Sequence, residues 1–261
     1  MAKIAAEAVT KSFGVEKSVL ALSGVDLTIG AGEFVSIVGP SGCGKSTLLY
    51  MLGGFFFPSS GKLLVDGKPV VRPGVDRGIV FQEYALFPWL TVFENIAYGL
   101  RMANTPKKEL KETVQRYIDL IGLSGFGERF PRELSGGMKQ RVALARTFVY
   151  GPDILLLDEP FGALDSQTRE TMQDELLRLW QSSGKTVLMV THDVNEAVYL
   201  SDRVCVMSKR PGRIVSEFKI DLDRSVGRER VVLSDAYTAC RNEIWLAVRH
   251  QASGTQQETV Q

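Results

Sequence analysis

Residues 39–47 read Gly-Pro-Ser-Gly-Cys-Gly-Lys-Ser-Thr, a run whose spacing suits the chemistry of phosphate. Gly39, Gly42 and Gly44 let the main chain turn tightly with successive N–H groups pointing inward. Pro40, Ser41 and Cys43 fill the variable positions of the pattern G-x-x-x-x-G-K-[ST]. Lys45 supplies a point charge for the outer phosphates, and the Ser46 hydroxyl is a hard oxygen donor suited to Mg²⁺. Thr47 lies in the first turn of the predicted helix, whose unpaired N–H groups and partial positive charge face the same anion. A second candidate site is Asp158-Glu159, two carboxylates that follow the apolar run Ile154-Leu-Leu-Leu157. Asp158 could hold Mg²⁺ through its water shell, and Glu159 could polarise a water toward a γ-phosphorus. A strand ending in a polar turn would look the same.

The elements that must position these residues are also legible. Phe34-Val-Ser-Ile-Val38 reads as a buried strand that delivers the glycine loop, and a helix runs from Lys45 to Gly53-Gly54. Short strands are expected at Ile4–Phe13 and Leu20–Ile29, with another from Gly61 closed by the Asp66-Gly67 turn, and one over Gly78–Gln82. From about 88 to 150 the pattern turns helical. Thr105 is the expected cap of a helix opening on Pro106, with Leu110, Val114, Tyr117, Ile118 and Ile121 on one face and Gly122 as its stop. Ser135 is the expected cap of a second helix reaching Phe148. Strand and helix then alternate again. Thr186–Val190 and Val204–Met207 are buried strands flanking a sequence that includes His192, and Thr168–Trp180 is a helix with Met172, Leu176, Leu179 and Trp180 on one stripe. A helical tail is expected at Ser234–Val248, followed by disorder from Gln251 onward. One α/β core with a helical insert follows, with phosphate chemistry at the carboxyl ends of its strands.

Composition narrows the class. The chain has 261 residues, 44% of them hydrophobic and 23% charged, enough for a sizeable core. A net charge of +1 points to no nucleic-acid partner. The basic groups Lys107, Lys108, Lys111 and Lys209, Arg210, Arg213 read as solvated faces. Three cysteines (Cys43, Cys205, Cys240) without metal spacing fit a reducing compartment. No apolar leader and no run of ~20 apolar residues is present, so a membrane role would need another chain.

Leu134-Ser-Gly-Gly-Met138, lying between the glycine loop and the acidic strand end, gives the chain its family resemblance: it resembles an ABC-type ATPase over residues 3–220. Phe13 resembles the aromatic that stacks on adenine, Gln82 the Q-loop glutamine, Ala163-Leu-Asp165 the D-loop, and His192 the switch histidine. Phe81–Leu90, Glu159–Asp165 and Ser208–Arg213 are similar to the ATPases of nitrate/sulfonate/taurine-type bacterial importers. Met138 departs from the commoner glutamine, and Phe13 from tyrosine. The resemblance implies a P-loop (RecA-like) α/β ATPase core with a small antiparallel β subdomain and an inserted α-helical subdomain. It divides the chain into 1–87, 88–151, 152–222 and a tail at 223–261.

It further implies a homodimer in which the phosphate loop of one copy faces Ser135, Gly136 and Gly137 of the other across ATP. Ser46, Gln82 and Asp158 would serve Mg²⁺, Glu159 would be the general base, His192 the γ-phosphate sensor, and Lys45 and Gln82 would complete the catalytic set. Asp165 would lie near the nucleotide. Tyr84, Leu86, Phe87, Trp89 and Leu90 would form a groove for a membrane permease on the cytoplasmic face of the cell membrane, with a solute-binding protein as an indirect partner; simple packing between subdomains would use the same residues. A soluble ABC ATPase of a nucleic-acid process is a competing reading. So is a small-molecule kinase, which would have no use for residues 134–138.

Overall fold

The computed structural model describes residues 2–14 and 19–253. In chain order the strands and helices are β1 (Ala2–Phe13), β2 (Val19–Gly30), β3 (Phe34–Val38), α1 (Lys45–Leu52), β4 (Ser60–Val65), β5 (Lys68–Pro69) and β6 (Arg77–Val80). The helical stretch holds α2 (Val92–Met102), α3 (Lys107–Leu120) and α4 (Gly136–Val149). Then come β7 (Ile154–Asp158), α5 (Ser166–Ser183), β8 (Thr186–Thr191), α6 (Val194–Leu200), β9 (Arg203–Met207), β10 (Ile214–Lys219), α7 (Arg228–Val232) and α8 (Asp235–Ser253). Two compact units result: Met1–Gly74 with Ser183–Gln261, and Val75–Ser182.

The first unit carries an antiparallel sheet in the order β2-β1-β4-β5 and the strands β10-β9-β3-β8. Asp66 and Gly67 both adopt positive φ, 49° and 71°, which closes the β4–β5 hairpin as a two-residue turn matched to strand twist. Every residue of β3 and β8 is buried, as expected of parallel strands covered on both faces. Their register sets Val38 beside Thr191, so Gly39 and His192 each stand one residue beyond paired strand ends.

The second unit contains the parallel pair β6–β7, with Val80 beside Leu157. Its helices α2, α3 and α4 bury one apolar cluster that includes Val92, Ile96, Val114, Ile118, Leu134 and Val142. The expected stripe on α3 is the buried one: Val114, Ile118 and Ile121 are at most 5% exposed. A capping box at Thr91 and Glu94 starts α2, each side chain bonding the other residue's backbone N–H.

Several boundaries differ from expectation. The cap of α3 is Pro106 rather than Thr105, with no side-chain bond; helical geometry starts one residue later because proline already supplies the extended entry. The β6 strand stops at Val80, so Gln82 lies in the following loop and not on a strand. The tail helix continues through 251–253, and the rest of the expected disordered end, 254–261, lies outside the described residues. The helices α6 and α7 and the strand β10 have no counterpart in the sequence reading, being short and only partly amphipathic.

Candidate functional site

In the first unit, the chain leaves β3 and turns through Gly39–Gly44 into α1. Gly42 and Gly44 adopt φ of 72° and 109°, in the left-handed region that favours glycine. No room exists for larger side chains: a Cβ on Gly39 would stand 2.6 Å from the Met207 carbonyl oxygen, and one on Gly44 would stand 2.5 Å from Leu22 Cδ2. The cap of α1 is Gly44, with no side-chain cap bond and no acidic residue in the first turn. The helix therefore presents its N-terminal N–H groups and partial charge to an anion. Lys45 is buried, and its Nζ donates to the carbonyls of Gly39 at 2.8 Å and Pro40 at 3.1 Å. A phosphate oxygen would replace these carbonyl partners. Cys43 is 1% exposed, and burial pushes its thiol pKa up.

Phe13 closes β1 with its ring partly exposed. The Phe56 ring meets it at 5.9 Å in an edge-to-face arrangement, and Lys11 Nζ lies 5.0 Å from its centroid. His192 is exposed immediately beyond β8, and Asp193 behind it caps α6 through the N–H groups of Asn195 and Glu196.

In the second unit, Asp158 ends β7 at 1% exposure, and Glu159 follows it. The β6–β7 register that aligns Val80 with Leu157 also aligns the residues two further on. Gln82 Nε2 reaches Glu159 Oε2 at 3.4 Å, across 77 residues of sequence. Glu159 adopts φ 46°, a left-handed conformation uncommon for a side-chain-bearing residue and often found where function maintains strain. The Ser135 hydroxyl caps α4 by accepting from the Met138 N–H at 3.3 Å, which leaves its own O–H free to donate to a ligand. Gly136 and Gly137 are sites of close approach: a Cβ would meet the Tyr84 hydroxyl at 2.9 Å and Leu164 Cδ2 at 3.3 Å. Residues 84, 135–137 and 164 are thus gathered in one place. Asp165 is exposed and accepts from the Thr168 N–H at 3.0 Å at the start of α5, and this bond holds its carboxyl below the usual range.

Two residues to which the sequence reading gave no role tie these loops together. The buried Gln140 donates to the Pro160 carbonyl at 2.6 Å, linking α4 to the turn after Glu159. Arg146 donates to the Ala85 carbonyl at 2.7 Å and stacks over Phe87 at 5.4 Å, linking α4 to the loop after Gln82. The only local signal for either was helical spacing from Ser135.

The expected apolar cluster is only partly open. Trp89 is 70% exposed, whereas Tyr84, Leu86, Phe87 and Leu90 are half-buried. Phe87 packs against Trp89 and Tyr98 at 5.8 and 4.7 Å.

A glycine loop opening a helix, with a capped Leu-Ser-Gly-Gly segment and a strand ending in buried Asp158 followed by the partly exposed Glu159, defines a nucleotide-hydrolysing cassette. The family model described as ABC transporter matches residues 22–162. The nitrate import ATP-binding protein NrtD of Synechocystis is 52% identical over 209 residues, covering 80% of this chain and 79% of that protein. The taurine import ATP-binding protein TauB of Roseobacter denitrificans is 50% identical over 202 residues, covering 77% and 75%. A dimeric post-hydrolysis structure of the ATP-binding cassette MJ0796 with ADP and Pi superposes with a TM-score of 0.76 at 34% identity, covering 84% of this chain and 99% of that one. The chain belongs to the ABC transporter family, as one of its ATP-binding, ATP-hydrolysing cassettes.

Proposed function

We propose that this chain is the ATPase subunit of a bacterial importer for a small anion or organic solute of the nitrate, sulfonate or taurine kind. Support for the substrate class comes from the names of its relatives, and support for hydrolysis from the placement of Gln82 against Glu159. Two copies close head to tail on two ATP molecules, as the dimeric form of the similar cassette suggests. The loop Gly39–Thr47 holds the phosphates, and Lys45 exchanges its carbonyl partners for phosphate oxygens. Phe13 stacks on the base. Ser135, Gly136 and Gly137 of the partner copy donate to the γ-phosphate, and Asp165 lies beside the same interface.

Ser46 offers a hydroxyl, Asp158 a carboxylate and Gln82 a carboxamide, each by its chemistry a hard-oxygen donor of the kind Mg²⁺ takes, and the family resemblance assigns all three to the ion. Mg²⁺ would neutralise the charge that develops on the phosphates. Glu159 takes the proton of the attacking water, with Gln82 orienting the pair, and His192 contacts the γ-phosphate. Loss of that phosphate removes the contacts joining the copies and opens the dimer. Among the described residues no helix is long and apolar enough to cross a membrane. A separate permease as partner is supported by the relatives' names as import ATP-binding proteins. The assembly sits on the cytoplasmic face of the membrane, fed by a solute-binding protein.

Glu159→Gln tests this reading. The variant should bind Mg-ATP, lose turnover by roughly 100-fold or more, and convert from monomer to dimer with ATP but not ADP. Normal turnover, or a mass unmoved by ATP, would overturn it.

A further inference from the structure

The segment Ser208–Arg213, between β9 and β10, has no part in the chemistry above, yet it runs along the back of the phosphate loop. At one end, the Met207 carbonyl oxygen lies 2.6 Å from where a Cβ on Gly39 would be. At the other, a Cβ on Gly212 would stand 2.1 Å from the Cys43 carbonyl oxygen, so main chain touches main chain. Gly212 is itself held by β2: its N–H donates to the Ala21 carbonyl at 2.9 Å, and its carbonyl accepts from the Ser23 N–H at 3.1 Å. Between these two contacts, the exposed Arg210 donates from Nε to the Gly42 carbonyl at 3.1 Å.

That carbonyl belongs to the peptide joining Gly42 to Cys43. A trans peptide points its N–H opposite its C=O. With the carbonyl turned out to Arg210, the Cys43 N–H turns into the loop, where it reaches the Pro40 carbonyl at 3.3 Å. A charged donor on the carbonyl also polarises the peptide and strengthens its N–H as a donor. Gly42, with no Cβ and φ of 72°, would otherwise let this peptide rotate readily.

We infer that Arg210 is a positioning residue for the phosphate loop: by holding the Gly42 carbonyl outward it aims the Cys43 N–H into the cradle, and so raises affinity for ATP without touching it. The inference rests on the phosphate-loop reading above. Arg210→Ala in the full chain should raise KM for Mg-ATP roughly 3- to 10-fold, leave kcat within about 2-fold, and shift Tm by less than about 2 °C. Amide hydrogen exchange at residues 41–44 should quicken. Arg210→Lys, which keeps a charged donor, should recover a good part of the affinity. An unchanged KM in Arg210→Ala, a fall in kcat alone, or an Arg210→Lys chain no better than the alanine variant would overturn the role. A Lys45→Ala chain that still bound ATP would instead overturn the phosphate-loop reading itself, which keeps the two failures apart.

Discussion

Side-chain chemistry here is set by burial as much as by residue type. Cys43 sits within the phosphate loop and has Lys45 Nζ 3.9 Å from its sulfur, an arrangement that could suggest a reactive thiolate. Desolvation outweighs the lysine, and the thiol pKa is raised. Cys205, inside β9, is pushed further, to about 12. Both groups therefore stay protonated at neutral pH, and both are out of reach of solvent. Brief iodoacetamide treatment at pH 7.5 should label only the half-buried Cys240, as read by peptide mass spectrometry. Rapid labelling of Cys43 in the folded chain would contradict its burial. At the acidic strand end the register does what burial does for the thiols: Gln82 and Glu159 meet because β6 and β7 pair in parallel, and nothing local to either residue implies the contact.

Helix ends carry much of the site, and each end is satisfied differently. The start of α1 is uncapped and anion-ready, whereas α2, α4 and α6 are capped by Thr91, Ser135 and Asp193. At α5 the Asp165 carboxylate accepts from Thr168, which lowers its pKa in the folded chain. A depressed folded pKa stabilises above the unfolded value of about 3.9, and the contribution is lost as pH falls through the folded value. The Tm gap between the wild-type chain and Asp165→Ala should thus be present at pH 6 and narrow below about pH 4. A gap that widens in acid would remove the carboxylate from the cap.

The loop entering α2 depends on one buried side chain. Asn95, fully buried, donates to the carbonyls of Phe87, Leu90 and Thr91 at 3.0–3.1 Å and accepts from the Phe87 N–H at 2.9 Å. Asn95→Ala leaves several of these groups unsatisfied and should cost on the order of 2–4 kcal/mol in denaturant melts. Proteolysis should then concentrate at residues 86–91.

For the molecule as a whole, the proposed function requires surfaces supplied by other chains. The Leu-Ser-Gly-Gly donors lie in the unit 75–182 and the phosphate loop in the other, and the proposed catalytic pocket joins donors from two copies. Steady-state ATPase rate should therefore rise with the square of protein concentration at low concentration, and Ser135→Ala should weaken that dependence. A rate strictly proportional to concentration throughout would exclude a shared pocket. Trp89, 70% exposed on the loop that Arg146 and Asn95 hold, is the centre we propose for a permease contact. Photo-crosslinkers at 84–90 should capture a co-purified permease; crosslinks arising only elsewhere would move that contact to another surface.

Local physics was enough to read the glycine turn at 39–44, the strands β3, β7 and β8, the apolar face of α3 and the Ser135 cap. Each depends on residues near one another in sequence: glycines where φ must be positive, apolar runs where both faces are covered, a hydroxyl where an N–H needs a partner. The same physics left α6, α7 and β10 invisible: they are as short as β3, β7 and β8 but lack their near-continuous apolar runs, and they owe their form to the surfaces they pack on. Only the folded chain placed Gln82 on Glu159, Arg146 on Ala85 and Arg210 on Gly42. Those pairs lie 61 to 168 residues apart, and strand pairing and chain reversal, which no short window of sequence encodes, decide which of them meet.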